Sequence, residues 1–273
     1  MENKTISNHF SPKFSNNYWT DSNGHITKIY RRLDGTIRRE RTTAKKWGCE
    51  DYSHPQDIED EFSKVESRVA PIYKKLVALE KLRPSERMIW SYWLLCQFAR
   101  TPTMKLELAG FPEDVFRELD MEFNRSWAEV EQTLSALADH GLEFPVNKEL
   151  LAFIILRDWV ILRPATGEFF IKGDTPVVIQ GALVDDDAVI AYPLAPDACF
   201  VATVFGSFPP SQLQGDLQLK AGQTHYYQRL VASKADREVI CHPAHFSEEL
   251  VATITPHLGM NKRFIHHSKL PNW

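Results

Sequence analysis

Hydrophobic and polar positions along the chain change period at two places, and these changes lay out its elements. Residues 26–33 and 36–41 read as two strands flanking Asp34-Gly35, a pair suited to a two-residue type I′ hairpin turn. From Asp57 the period becomes helical. Ile58, Phe62, Val65, Val69, Ile72, Leu76 and Leu79 recur at alternating spacings of four and three, making one apolar stripe. Acidic Asp57, Glu59, Asp60 and Glu61 crowd its first turn and Lys74, Lys75 and Lys81 its last, as the helix dipole favours. Pro71 predicts a kink or break near Ala70.

After Pro84, with Ser85 as N-cap, residues 88–99 are apolar on nearly every side, which places this helix in the middle of a bundle. A third helix is predicted over 112–140, ending at Gly141. A fourth, capped by Asn147, carries Leu150, Leu151, Phe153, Ile154, Ile155, Trp159 and Val160. The second change of period follows, with strands predicted at 169–171, 177–179, 188–192 (closed by Pro193) and 199–205, then a loop over 206–222. A helix over 223–234, a strand over 238–241 and a helix over 247–257 finish the ordered part. The fold class is therefore α+β: a helical N-terminal half with a basic β-hairpin, packed on a strand-rich C-terminal half. One domain covers 1–260, its helical part about 53–163 and its strand-rich part about 164–260, with a basic tail at 261–273. Trp90, Trp93, Leu94 and Phe98 are expected in the core against the strands holding Phe170 and Val178. Phe10, Phe14, Tyr18 and Trp19 predict that the start of the chain is tied down by packing.

Charge changes this picture at the hairpin. Residues 28–46 hold eight cations against two carboxylates, a local balance of +6 that leaves −10 for the rest of a chain whose net charge is −4. With the type I′ turn, Arg31 faces Arg38, and one surface shows Lys28, Tyr30, Arg32, Ile37, Arg39 and Arg41. Opposed like charges require something acidic nearby, either a nucleic acid or other polyanion, or the protein's own carboxylates.

Length and composition, 273 residues with 43% hydrophobic and 25% charged, fit an ordinary globular protein. The polar start and the absence of an apolar run of about eighteen residues read as cytoplasmic, with no membrane partner. Cys49, Cys96, Cys199 and Cys241 are widely spaced, which argues for reduced thiols. His242 and His245, with Pro243 between them arguing against a helix, and His266 and His267 read as surface histidines rather than a metal site. The sequence names no cofactor and no oligomeric state.

Several short motifs, taken in order, resemble the domain-of-unknown-function 4238 family of bacteria and fungi. His9-Phe10-Ser11-Pro12-Lys13-Phe14 is similar to its opening segment, and Tyr52 with Glu61 to Glu66 to its Tyr-then-Glu region. Gln97-Phe98-Ala99-Arg100-Thr101-Pro102 resembles its Gln-x-x-Arg-Thr-Pro helix end. Gly173-Asp174-Thr175-Pro176-Val177 resembles its Ser-Asp-x-Pro-Val turn, with Gly173 in place of the serine, and Tyr192-Pro193-Leu194 its Pro-Leu segment. The resemblance implies an architecture and a residue list without a reaction.

The same residues stand out chemically. Asp174 lies between two apolar runs, Gln97 and Arg100 end an apolar helix, and Glu66 and His9 complete an inventory of acid, cation, amide and base. Such a set suits a hydrolase or a nuclease, in which His or carboxylate moves a proton and Arg stabilises developing negative charge. It equally suits a buried ion pair of Arg100 with Asp174 or Glu66 that pins the two halves together. The rival class is a non-catalytic, defence-associated module that holds a polyanion on Lys28, Tyr30, Arg32, Arg39 and Arg41.

Overall fold

The computed structural model describes residues 7–9, 11–51, 56–99, 101, 148–181, 188–204, 206–207 and 215–259. The predicted helix over 112–140, Asn147, Arg100, Tyr52 and the tail at 261–273 lie outside them. The chain opens with β1 (Ser7–His9), a short helix α1 (Lys13–Asn16) and a 3₁₀ turn (Asn17–Trp19). The hairpin β2 (His25–Arg31) and β3 (Ile37–Thr43) and strand β4 (Cys49–Asp51) follow, then helices α2 (Gln56–Val77), α3 (Pro84–Ala99) and α4 (Lys148–Ile155). The strand-rich part holds β5 (Asp158–Arg163), β6 (Lys172–Gly173), β7 (Val178–Gln180), β8 (Val189–Ala195), β9 (Ala198–Thr203) and β10 (Asp216–Gln218). Helix α5 (Gln223–Lys234), β11 (Glu238–Cys241) and α6 (Glu248–Ile254) close it. The fold is α+β. No helix among the described residues is long and apolar enough to cross a membrane.

Among the described residues three sheets form: a five-stranded one in the order β10-β5-β9-β8-β7, a four-stranded one in the order β3-β2-β11-β6, and the pair β1-β4. Alternation along the five-stranded sheet separates two cores. Trp159, Ile161, Ile190, Tyr192, Phe200 and Ala202 face α2, α3 and α4, whereas Val160, Leu162, Val178, Ala191 and Val201 belong to the core shared with β2, β11, α5 and α6. Trp90, Trp93 and Leu94 are buried in the first core with Phe98 packed against it. Phe170 and Val178 lie in the second, so the helices pack on Trp159, Tyr192 and Phe200 instead. The segment from Ser11 to Trp19 is tied down, Phe10 lying outside the described residues: the Phe14 ring lies 5.4 Å from Tyr73 and 6.0 Å from Trp93, and Trp19 is fully buried.

Local chemistry explains most departures from the expected elements. Helix α2 runs through Pro71 without a break; Pro71 and Ser67, the residue whose carbonyl loses its donor, are both exposed. Helix α3 begins at Pro84, where the missing N–H costs nothing, and its N-cap is Arg83 rather than Ser85; the Arg83 N–H donates to Glu86 at 2.9 Å. Trp159 and Val160 leave the fourth helix for β5, a strand buried on both faces whose continuous apolar run lacks a diagnostic period. Strand β8 continues through Pro193 to Ala195, since β7 pairs only as far as Ala191 and no neighbour needs a Pro193 N–H on that side. Within the expected loop over 206–222, Asp216–Gln218 pairs in parallel with β5.

The hairpin turn differs in a way that matters for function. Gly35 has φ of 82° but Asp34 is not left-handed, so a type I′ turn is excluded. Arg32 accepts from the Gly35 N–H and donates to the Thr36 carbonyl, both at 2.9 Å, closing a three-residue loop, Leu33-Asp34-Gly35. Register therefore shifts by one residue: Arg31 faces Ile37, Tyr30 faces Arg38, Ile29 faces Arg39 and Lys28 faces Glu40. A one-residue slip exchanges the faces of β3. Lys28, Tyr30 and Arg32 share their surface with Arg38 and Glu40, while Arg39 and Arg41 lie on the opposite face with Arg31.

Candidate functional site

Asp174 follows β6 and is 6% exposed. The main-chain N–H groups of Asp236, Arg237 and Glu238 donate to its two oxygens at 2.8, 2.8 and 3.1 Å, and its own N–H donates to the Glu238 carbonyl at 3.1 Å. The carboxylate thus fixes the connection from α5 to β11. Burial, and then the like charges of Asp236 and Glu238, push its pKa up to about 8, with the N–H donors acting the other way. Gly173, which stands where a serine was expected, lets α5 approach: a Cβ there would lie 3.3 Å from Ala235 and 3.4 Å from Val231.

Gln97 is fully buried near the end of α3, and Glu66 is half-buried on α2. His9 pairs with Cys49 through the β1–β4 ladder, and its side chain lies outside the described residues, as does Arg100. Among the described residues, no hydrogen bond or ion pair joins Asp174 to Gln97 or Glu66.

A second interior polar group escaped the sequence reading. Lys172, on β6, is fully buried; its ammonium donates to Ser15 Oγ at 2.8 Å and Asn16 Oδ1 at 3.0 Å, and lies 5.6 Å from the Trp47 ring and 5.5 Å from that of Tyr192. Asn16 Nδ2 in turn donates to the carbonyls of Ser11, Ala44 and Trp47, and Ser11 Oγ donates to Asn16 Oδ1. The Ser15 and Lys172 spacing is that of a nucleophile and base, but the single Ser15 proton is given to the Pro12 carbonyl at 2.8 Å, so Ser15 can only accept from Lys172. The group anchors the opening segment between the helices and the sheets. Its signal in the sequence was a lysine directly after the apolar run Phe169-Phe170-Ile171 and three small polar residues in the opening segment.

The hairpin is divided between docking and exposure. Arg31 donates to the Leu258 and Thr255 carbonyls beyond α6 and to the Gly35 carbonyl; Arg39 lies over the Phe246 ring at 4.6 Å. Arg41 pairs with Asp21 at 2.8 Å, and Lys28 with Glu40 and Glu238 at 3.2 and 3.5 Å. Those two carboxylates hold the Lys28 pKa up against its burial. Arg32 and Arg38 are exposed, and among the described residues no carboxylate lies within ion-pair distance of either. Strand β3, which carries Arg38, Arg39 and Arg41, is the edge of its sheet.

The histidines after β11 are engaged locally. His242 accepts the Ala244 N–H at 3.2 Å, and His245 stacks on Phe169 at 4.6 Å. Among the described residues no three His, Cys, Asp or Glu side chains converge as metal ligands.

No curated protein and no solved structure matches the chain. One family model matches the chain over residues 8–245, most of its length. The chain belongs to the family described as protein of unknown function (DUF4238).

Proposed function

We propose that the protein binds nucleic acid or a similar polyanion at the β2–β3 hairpin. One observation carries this reading: Arg32 and Arg38 stand exposed beside the hairpin tip with no carboxylate within ion-pair distance among the described residues, on a segment of local charge +6. Arg39 and Arg41 lie on the opposite face of the edge strand, where Arg39 covers the Phe246 ring, so Arg32 and Arg38 form the surface offered to an anion. Arg41 is already paired with Asp21 at 2.8 Å and Lys28 with two glutamates, so these two orient the surface rather than offer a free charge. The remainder of the chain, at −10, repels an anion and steers it to the hairpin.

A hydrolytic or nuclease role would use His9, Glu66, Gln97, Arg100 and Asp174. Asp174 already commits both oxygens to three main-chain N–H groups in a buried turn, which supports an architectural task for it. The test is fluorescence anisotropy of the purified full chain with labelled duplex DNA, RNA and polyphosphate over a salt series, with turnover of each measured in parallel. Binding with a steep salt dependence and no cleavage is the expected result; the absence of binding at low salt defeats the reading.

A further inference from the structure

We propose that Leu33 is an apolar wedge that enters between two base pairs of duplex DNA while Arg32 and Arg38 hold the flanking phosphates; this rests on the polyanion reading above. Leu33 occupies the first position of the three-residue hairpin loop and is as exposed as an isolated residue, at 109%. The other exposed large apolar residues described, Leu156, Val204 and Tyr226, are only 41–44% exposed, so each keeps more than half its surface covered. Leu33 touches no core.

Its surroundings select the ligand. Asp34 is adjacent and exposed; its Oδ1 accepts both the Thr36 N–H at 2.9 Å and the Thr36 hydroxyl at 2.6 Å, and these bonds, with the nearby charges of Arg32 and Arg38, hold its pKa down. Leu33 thus shares the tip with two cations and with one carboxylate that is fixed to Thr36 and lies beyond ion-pair distance of both. An apolar side chain between cations is the arrangement by which minor-groove proteins unstack a base step and clamp its phosphates. A single-stranded ligand is favoured instead by flat aromatic platforms, whereas Tyr30, beside the tip, is half-buried with Lys28 4.9 Å above its face. A lipid surface needs more apolar length than one isobutyl group, since even a single acyl chain anchors only marginally. Two strands spaced about 4.8 Å apart make a tip narrow enough to reach a groove floor.

The experiment uses the full chain with duplexes carrying 2-aminopurine at successive positions of a flexible TA step, read by anisotropy and by 2-aminopurine fluorescence. The wedge predicts a fluorescence rise on binding that Leu33→Ser abolishes while most of the affinity remains; Arg32→Ala with Arg38→Ala loses the affinity itself. Duplex binding with no fluorescence rise, or a rise that Leu33→Ser leaves intact, overturns the wedge and leaves the polyanion reading standing. Binding to RNA or polyphosphate without binding to duplex DNA does the same. Binding only to vesicles containing phosphatidylserine overturns the wedge in favour of a lipid surface, and no binding to any of these anions overturns both.

Discussion

The Lys172 ammonium donates to Asn16 Oδ1 at 3.0 Å, joining the start of the chain to the strand-rich half across 156 positions of sequence. Asn16 holds a buried charge as well as three carbonyls, so Asn16→Leu removes a partner from an ammonium that stays behind. That loss is expected to cost about 3–5 kcal/mol. Lys172→Met removes the charge itself with little change in volume, and leaves chiefly an orphaned Ser15 oxygen, a loss of about 1–3 kcal/mol. Urea unfolding of the two variants gives the order; a larger loss for Lys172→Met would refute the anchoring role.

Gly48 and Gly35 both have positive φ, yet they answer to different constraints. A Cβ on Gly48 would lie 2.5 Å from Ser11 Cβ, whereas one on Gly35 would meet nothing within 4 Å. Gly35→Ala therefore measures backbone strain alone, about 1–2 kcal/mol. Gly48→Ala adds displacement of the opening segment and is expected to lose at least about 2 kcal/mol more. Equal melting temperatures for the two variants would show that Ser11 yields freely.

The elements legible in the sequence are those whose pattern is set locally. Helix α5 and strand β11 occupy 223–234 and 238–241 as expected, because one ends where the other's short turn begins. The hairpin's existence was legible and its register was not: Asp34-Gly35 satisfies a three-residue loop as well as a two-residue one, since only Gly35 needs positive φ there. Strand β10 takes its pairing from β5 and carries no pattern of its own in Asp216-Leu217-Gln218. Asp174 stood out as a polar strand end, but its partners are main-chain N–H groups about sixty residues away, and side-chain chemistry does not encode those. Lys172 was hidden for a different reason: its acceptors are two small side chains of α1, 156 and 157 positions away.

Asp174 also gives the protein a pH-dependent stability whose sign is fixed. Its folded pKa is about 8, raised by burial and by Asp236 and Glu238, against about 3.9 in an unfolded chain. Between those values the folded state holds the proton more tightly, so stability falls as pH rises through the window from about 4 to 8. Glu238, also raised by burial, acts in the same direction. The urea midpoint is expected to drop from pH 5 to pH 8, and Asp174→Asn to flatten that slope while lowering the midpoint at pH 5, because its amide cannot accept at both atoms. A midpoint that rises over this window would contradict the buried acidic turn.

Arg31 and Arg38 separate the structural from the binding half of the hairpin. Arg31 satisfies the Thr255 and Leu258 carbonyls past α6, so Arg31→Ala is expected to destabilise the fold by about 1–3 kcal/mol through those orphaned acceptors. Arg38 is exposed opposite Tyr30, and Arg38→Ala is expected to leave the melting temperature nearly unchanged. With duplex DNA the two should exchange roles. Arg38→Ala removes one phosphate contact and lowers the slope of log K against log salt by about 0.9, while Arg31→Ala, measured below its melting transition, keeps the slope. An unaltered slope for Arg38→Ala, or a reduced one for Arg31→Ala, would place the anion elsewhere on the protein.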